Sequence, residues 1–187
     1  MSLEKFLKEN EDIINNEDSE KFIKIIVDSI ADGRLNYQQY LNLEQMFRDL
    51  EIFEDVAMDG ADPKKKYKYV AGYAFGPTVR GTIDLRNTVI YHDGVPNPAS
   101  SEVIIDDTTT IKSYGIWIAP NYKEQKFKLT FLGVPKVEEC GIAMNPKTLS
   151  QVEIYAKADI VEDIKNLFDK GCIITNKSSL KNKIEVI

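Results

Sequence analysis

Histidine occurs once and cysteine twice in these 187 residues. No apolar run is long enough to cross a bilayer. A single imidazole leaves little material for acid-base or nucleophilic catalysis, and no Gly-x-Ser-x-Gly elbow offers a serine. There is no Cys-x-x-Cys pair, so a four-ligand structural zinc site would need a carboxylate to complete it. The glycines of "GYAFGPTVRG" have neither dinucleotide nor P-loop spacing. Basic residues are outnumbered, 24 against 30 acidic, and a net charge of −6 argues against general nucleic-acid binding.

The candidates that remain read blandly. His92, in "YHDG", reads as a strand-end residue beside a turn. A Cys140–His92 nucleophile pair requires an ionised thiol, and Cys140 falls on an apolar stripe where a thiol is inert. Asp59 and Asp62 in "DGADP", with Asp106 and Asp107 in "IIDDTTT", do not fit the twelve-residue calcium loop and read as solvated turns. Lys64, Lys65 and Lys66 read as a charged turn. No catalytic residue, metal site or cofactor is expected.

What is present suits one globular unit, since 43% of residues are hydrophobic. Residues 1–18 are polar and acidic and read as a tail or extension, with a single head domain over 19–187. A helix capped by Ser19 places Phe22, Ile25, Ile26, Ser29 and Ile30 at helical spacing and stops at Gly33. A second spans roughly Tyr37 to Ile52. Beyond "DGADPKKK" the chain turns to short β-branched and aromatic runs punctuated by Gly, Pro and Asn. In Lys126–Leu132 the alternation is clean, with Phe127, Leu129 and Phe131 on one face. Pro135 then suits the first turn of a helix whose inner stripe is Val137, Cys140, Gly141 and Met144. A further helix starts near Asp159, with Glu162 completing its cap, and ends at Gly171. "CIIT" and "NKIEVI" read as a terminal hairpin, and no internal repeat stands out. The expectation is an α+β fold, an N-terminal helix packed on an antiparallel sheet with short additional helices.

Two cysteines allow one internal pairing, Cys140 with Cys172. Either they are ordinary buried thiols or they form a bridge. Their positions, each at a junction between elements, favour the bridge. In the chain-entropy model such a link stabilises by roughly 3–4 kcal/mol.

The stretch "FKLTFLGVPKVEECGIAM" resembles the region of type IVb pilins in which a strand runs through Val-Pro into a helix carrying the first cysteine of the C-terminal disulfide loop. "FDKGCIITNKSSLKNKIEVI" is similar to that loop's second cysteine and final strands, and "YAFGPTVRGTID" to the family's Phe-Gly turn. The resemblance runs in order from about Ser19 to Ile187. It implies the ectodomain of a pilin, minor pilin or pseudopilin, closed at its C-terminus by a Cys140–Cys172 disulfide. Such a subunit is a non-catalytic structural protein of a periplasmic or extracellular filament. Its partners are other pilin subunits, its work is assembly, display or adhesion, and it reaches the membrane only through an apolar N-terminal helix that this sequence lacks. The competing reading is a cytoplasmic α+β protein-interaction module, of phage or mobile-element type, with reduced cysteines. The charged start "MSLEKFLKENEDIINNEDSE" has no apolar centre of a signal peptide and taken literally reads as cytoplasmic, but it does not decide between the two.

Overall fold

The computed structural model describes residues 1–187. Four helices come first: α1 (Leu3–Glu9), α2 (Glu11–Asn15), α3 (Ser19–Ala31) and α4 (Tyr37–Asp49). The chain then winds into a three-sided coil of short strands. The first side holds β1 (Val56–Ala57), β2 (Tyr69–Val70), β4 (Val89–Ile90), β7 (Thr110–Ile111) and β10 (Lys136–Val137). The second holds β5 (Val95–Pro96), β8 (Ile116–Ile118), β11 (Ile142–Met144) and β13 (Ile173–Thr175). The third holds β3 (Gly81–Asp84), β6 (Ser101–Ile105), β9 (Phe127–Phe131), β12 (Val152–Ala156) and β14 (Ile184–Val186). Every strand pair is parallel. Parallel neighbours need a long crossover; here the other two sides of the coil supply it. The fold is a β-solenoid with helices on its flank.

The three central rungs visit the first, second and third side in turn, as β4–β5–β6, β7–β8–β9 and β10–β11–β12, whereas β2 is followed by β3 with no second-side strand. In the final rung α5 (Val161–Asp169) stands where a first-side strand would be. Alternate residues point inward and stack on their equivalents, for example Val70, Ile90 and Ile111, or Ile83, Val103 and Leu129, all fully buried. Each such side chain stabilises the fold by roughly 1.5–3 kcal/mol.

The corner between the first and second sides fixes the register. Tyr73, Asp93, Tyr114 and Cys140 adopt φ of 64°, 56°, 52° and 55°, and Gly171 adopts 72°. The amide of Tyr73 donates to the Asp93 carbonyl (2.7 Å), Asp93 to Tyr114 (3.0 Å), Tyr114 to Cys140 (2.9 Å) and Cys140 to Gly171 (2.9 Å). The next residue in the three central rungs is Gly94, Gly115 or Gly141. None of these needs positive φ; each is glycine because the corner closes tightly on the strand before it. A Cβ at Gly141 would lie 2.5 Å from Cγ1 of Val137, and one at Gly94 would lie 2.9 Å from Cγ2 of Ile90.

A second core lies outside the coil. Strands β1 and β2 are buried on both faces: Ala57 and Val70 face the solenoid interior, while Val56 and Tyr69, with Ala71, face the helices. Phe22, Ile23 and Ile26 of α3 and Tyr40, Leu43 and Phe47 of α4 pack on that outer surface. Phe22 stacks on Phe53 at 4.1 Å and meets Phe47 edge-on at 4.8 Å. The Tyr40 hydroxyl donates to the Gly72 carbonyl (2.8 Å) and accepts from the Asp59 amide (3.1 Å), tying α4 to the first corner. A Cβ at Gly72, whose φ is +52°, would meet that hydroxyl at 2.6 Å. Residues 1–18 form two short helices, and Phe6 of α1 is completely buried.

The α+β expectation of a helix on an antiparallel sheet is overturned by these three all-parallel sheets. Inside–outside alternation in a solenoid rung is the same period-two pattern as in a half-buried antiparallel strand. The helix expected from Pro135 is instead β10, the left-handed corner at Cys140 and β11. The terminal hairpin is absent too, because β13 and β14 lie in different sheets. The helix at Ser19 is capped by Asp18, whose carboxylate accepts from the Lys21 amide, and Ser19 instead donates to Asp55 at 2.6 Å. The Asp159 cap does not form either; a short 3-10 turn leads into α5, which has no side-chain cap.

A repeat is present where none was read. Val70-Ala-Gly-Tyr-Ala-Phe75, Ile90-Tyr-His-Asp-Gly-Val95, Ile111-Lys-Ser-Tyr-Gly-Ile116, Val137-Glu-Glu-Cys-Gly-Ile142 and Phe168-Asp-Lys-Gly-Cys-Ile173 place an apolar residue, three corner residues, a small residue and an apolar residue in equivalent positions.

Two outcomes follow from the packing. Gly141→Ala drives a methyl into Val137 and the Glu138 carbonyl, and costs about 1–3 kcal/mol, read as a lower urea midpoint with an unchanged slope. Asp84, held by Arg86 (2.7 and 3.0 Å) and Lys66 (2.5 Å), has its carboxyl far below the usual range, chiefly through the Arg86 hydrogen bond. A depressed folded pKa gives stability that is present above the unfolded value and lost as pH falls below about 4. Acid titration of Asp84→Asn therefore shows a shallower loss of stability in that range than the wild type.

Candidate functional site

The C-terminal half of α3 and the start of α4 stand off from the first two left-handed corners. Between them lies a groove of about 240 Å³. Ile23, Ile26, Met58 and Ala71 form its floor, all nearly inaccessible to solvent. Its rim is polar or aromatic: Tyr37 from α4, Tyr73 and Asp93 from the corner ladder, and His92. Helical spacing in α3 puts Val27 and Ile30 along the same wall, one turn beyond the residues committed to the second core. The rim tyrosines are unusually open for aromatic side chains, Tyr37 being 50% and Tyr73 43% exposed.

Their rings stand 6.2 Å apart at 77°, so they form a corner at the mouth of the groove. Tyr37 also lies 6.0 Å from Tyr40, which continues the aromatic surface inward. Both rim phenols hold their protons above the usual tyrosine range. For Tyr73 the charge of Asp93 is the main cause, with burial second. For Tyr37 burial leads, followed by the charge of Asp59. Each exposed ring therefore has a carboxylate nearby. No lysine or arginine lines the groove, and His92 is its sole basic side chain.

His92 sits with Nδ1 3.1 Å from Asp93 Oδ2 and its ring 6.0 Å from that of Tyr114. A histidine–carboxylate pair can orient an imidazole, but no serine or cysteine lines this groove to be activated. Tyr114 and Cys140 continue the same outward column along the later rungs, and the Cys140 thiol holds the Tyr114 phenol proton above its usual range.

The Cys140–Cys172 disulfide is not formed, and both thiols are free. Their rungs are adjacent but their positions differ by one residue: Cys140 pairs with Gly171, while Cys172 pairs with the residues after Gly141. Cys140 occupies the left-handed corner beside Tyr114. Cys172 takes the small-residue position that follows and packs against the solenoid core. With the bridge and the antiparallel sheet both absent, the pilin resemblance fails, and the filament role and secretion lose the support it gave them.

The other sequence candidates are scattered. Asp62 accepts from the Lys64 amide and Asp106 from the Thr108 amide, and no three His, Cys, Asp or Glu side chains gather to hold a metal ion. Lys66 pairs with Asp84, and Lys65 lies over the Tyr67 ring. On the outer surface of the third side Lys128 pairs with Glu102 and covers the Tyr155 ring, so those charges satisfy one another. The groove's own residues, Ile30, Tyr37, Tyr73 and Asp93, carried no chemical signal in the sequence. Alignment of "AGYAF" with "YHDGV" would have placed Tyr73 and Asp93 on one corner.

Ellman titration in denaturant without reductant is expected to find both thiols, with no gain after reduction. In the folded chain Cys140 reacts faster than Cys172. A protein that yields thiols only after reduction contradicts the corner geometry. Comparison with protein-family models, curated proteins and solved structures gives no match to this chain.

Proposed function

We propose that this chain is a non-catalytic protein-interaction module that uses the groove beside Tyr37 and Tyr73 as its recognition site. The observation that carries this reading is the groove itself: an apolar floor and half-exposed tyrosines on a rim set by backbone hydrogen bonds. Concave apolar sites with a few polar rim groups are the usual form of binding pockets, and tyrosine is favoured at protein interfaces. The groove lacks a nucleophile beside its imidazole, and its two rim phenols are held protonated, which favours binding over chemistry. The solenoid supplies rigidity, since each rim corner is hydrogen-bonded to the next rung.

The test uses Nile Red, a neutral dye that fluoresces in apolar sites. The wild type is expected to bind it saturably, and the Ile30→Glu/Tyr73→Ala double variant to bind at least about tenfold more weakly with an unchanged circular dichroism spectrum. Peptides selected from a random displayed library on the native chain are expected to displace the dye. A wild type that does not bind Nile Red, or selected peptides that bind without displacing it, removes the groove from the reading.

A further inference from the structure

The charge on the flank of the groove is distributed unevenly. Residues 1–62, which include all four flanking helices, carry 16 acidic and 6 basic side chains, whereas residues 63–187 carry 14 and 18. The net −6 of the chain is thus the sum of a strongly acidic helical flank and a mildly basic solenoid. The groove opens between the two: Asp93 lines its rim beside His92, and Asp59 stands next to it, its amide donating to the hydroxyl of the lining residue Tyr40 and its carboxylate acting on Tyr37.

An apolar floor, two open tyrosine faces and two carboxylates make up the chemistry that receives a long side chain with a cationic tip. The methylene stem of a lysine or arginine lies along aliphatic surface while its head seeks charge or water. Aromatic faces attract such heads within about 6 Å of the ring centroid. We propose that the occupant of the groove is an arginine or lysine side chain on a basic segment of a protein partner, its stem along Ile26, Ile30 and Met58 and its head between Tyr37, Tyr73, Asp59 and Asp93. This identification rests on the interaction-module reading and narrows it to one kind of partner. The acidic helical flank then draws a basic segment towards the site, an attraction that added salt weakens.

Two probes of the same shape separate charge from apolar contact: hexylguanidinium and the neutral hexylurea. Their binding to the ¹⁵N-labelled full chain is followed through the amides of Gly72, Tyr73 and Asp93, at about pH 8, above the ordinary range of imidazole titration. Hexylguanidinium is expected to bind roughly tenfold more tightly than hexylurea at low salt, with the advantage shrinking as salt is added. In Asp59→Asn/Asp93→Asn the ratio is expected to fall towards one, chiefly through weaker hexylguanidinium binding. Asparagine is well suited to the left-handed φ of position 93. Library selection on the native chain is expected to enrich arginine or lysine beside aliphatic residues. Equal binding of the two probes overturns the cationic occupant while leaving the Nile Red site intact. Tighter hexylguanidinium binding with no enrichment of basic peptides overturns the protein partner and assigns the site to small cations.

Discussion

The whole architecture hangs on the corner between the first and second sides of the coil. There one residue per rung takes a left-handed conformation and passes its amide to the carbonyl of the next. For a non-glycine residue that conformation costs roughly 1–2 kcal/mol, and the hydrogen bond it allows returns about 0.5–1.5 kcal/mol. The margin comes from what the turn makes possible: the chain re-enters the coil two residues later, with Val95, Ile116, Ile142 or Ile173 pointing inward onto its equivalents. That re-entry brings the backbone so close to the preceding strand that the central rungs admit only glycine there. In the last rung α5 replaces the strand, and Cys172 is accommodated at the same place.

The corner also explains how the groove is made. Because the left-handed residue points outward in every rung, the ladder displays a column: Tyr73, Asp93, Tyr114 and Cys140. Most of that column faces solvent. At its first end the helices lean on the outer faces of β1 and β2 and are pinned by Tyr40 at Gly72. Two independent packing solutions, one inside the coil and one outside it, meet there with a gap between them. The gap is apolar because α3 carries more hydrophobic surface than the second core consumes, leaving Ile30 exposed and Val27 only half-buried along the opening.

Much of the helical third was legible in the sequence. Spacing located α3 and α4, and Gly33 and Gly171, both at positive φ, ended helices as their chemistry dictates. The Phe127–Leu129–Phe131 alternation gave the correct inner face of β9. What alternation does not encode is the direction of the neighbouring strand, so a coil of parallel rungs read as an antiparallel sheet. The repeat was hidden by its third corner. The first two corners of the central rungs hold four residues each, such as 91–94 and 106–109, but the third holds four at 97–100, eight at 119–126 and seven at 145–151. No fixed period survives such variation. The cysteines misled for a related reason: closeness along the stacked rungs was real, but a one-residue offset placed one thiol on the outer column and the other against the interior.

That variable corner has a meaning of its own. Each rung touches only its neighbours, and the strands on either side of the corner are locked by their own ladders. Lengthening the loop therefore asks only for chain closure, which rises by about 0.6 kcal/mol for each doubling. The edge formed by residues 97–100, 119–126, 145–151 and 176–183 is the seam along which this scaffold can take on new sequence while its walls stay still. The half-exposed Trp117 and the open Tyr122 already stand beside that seam.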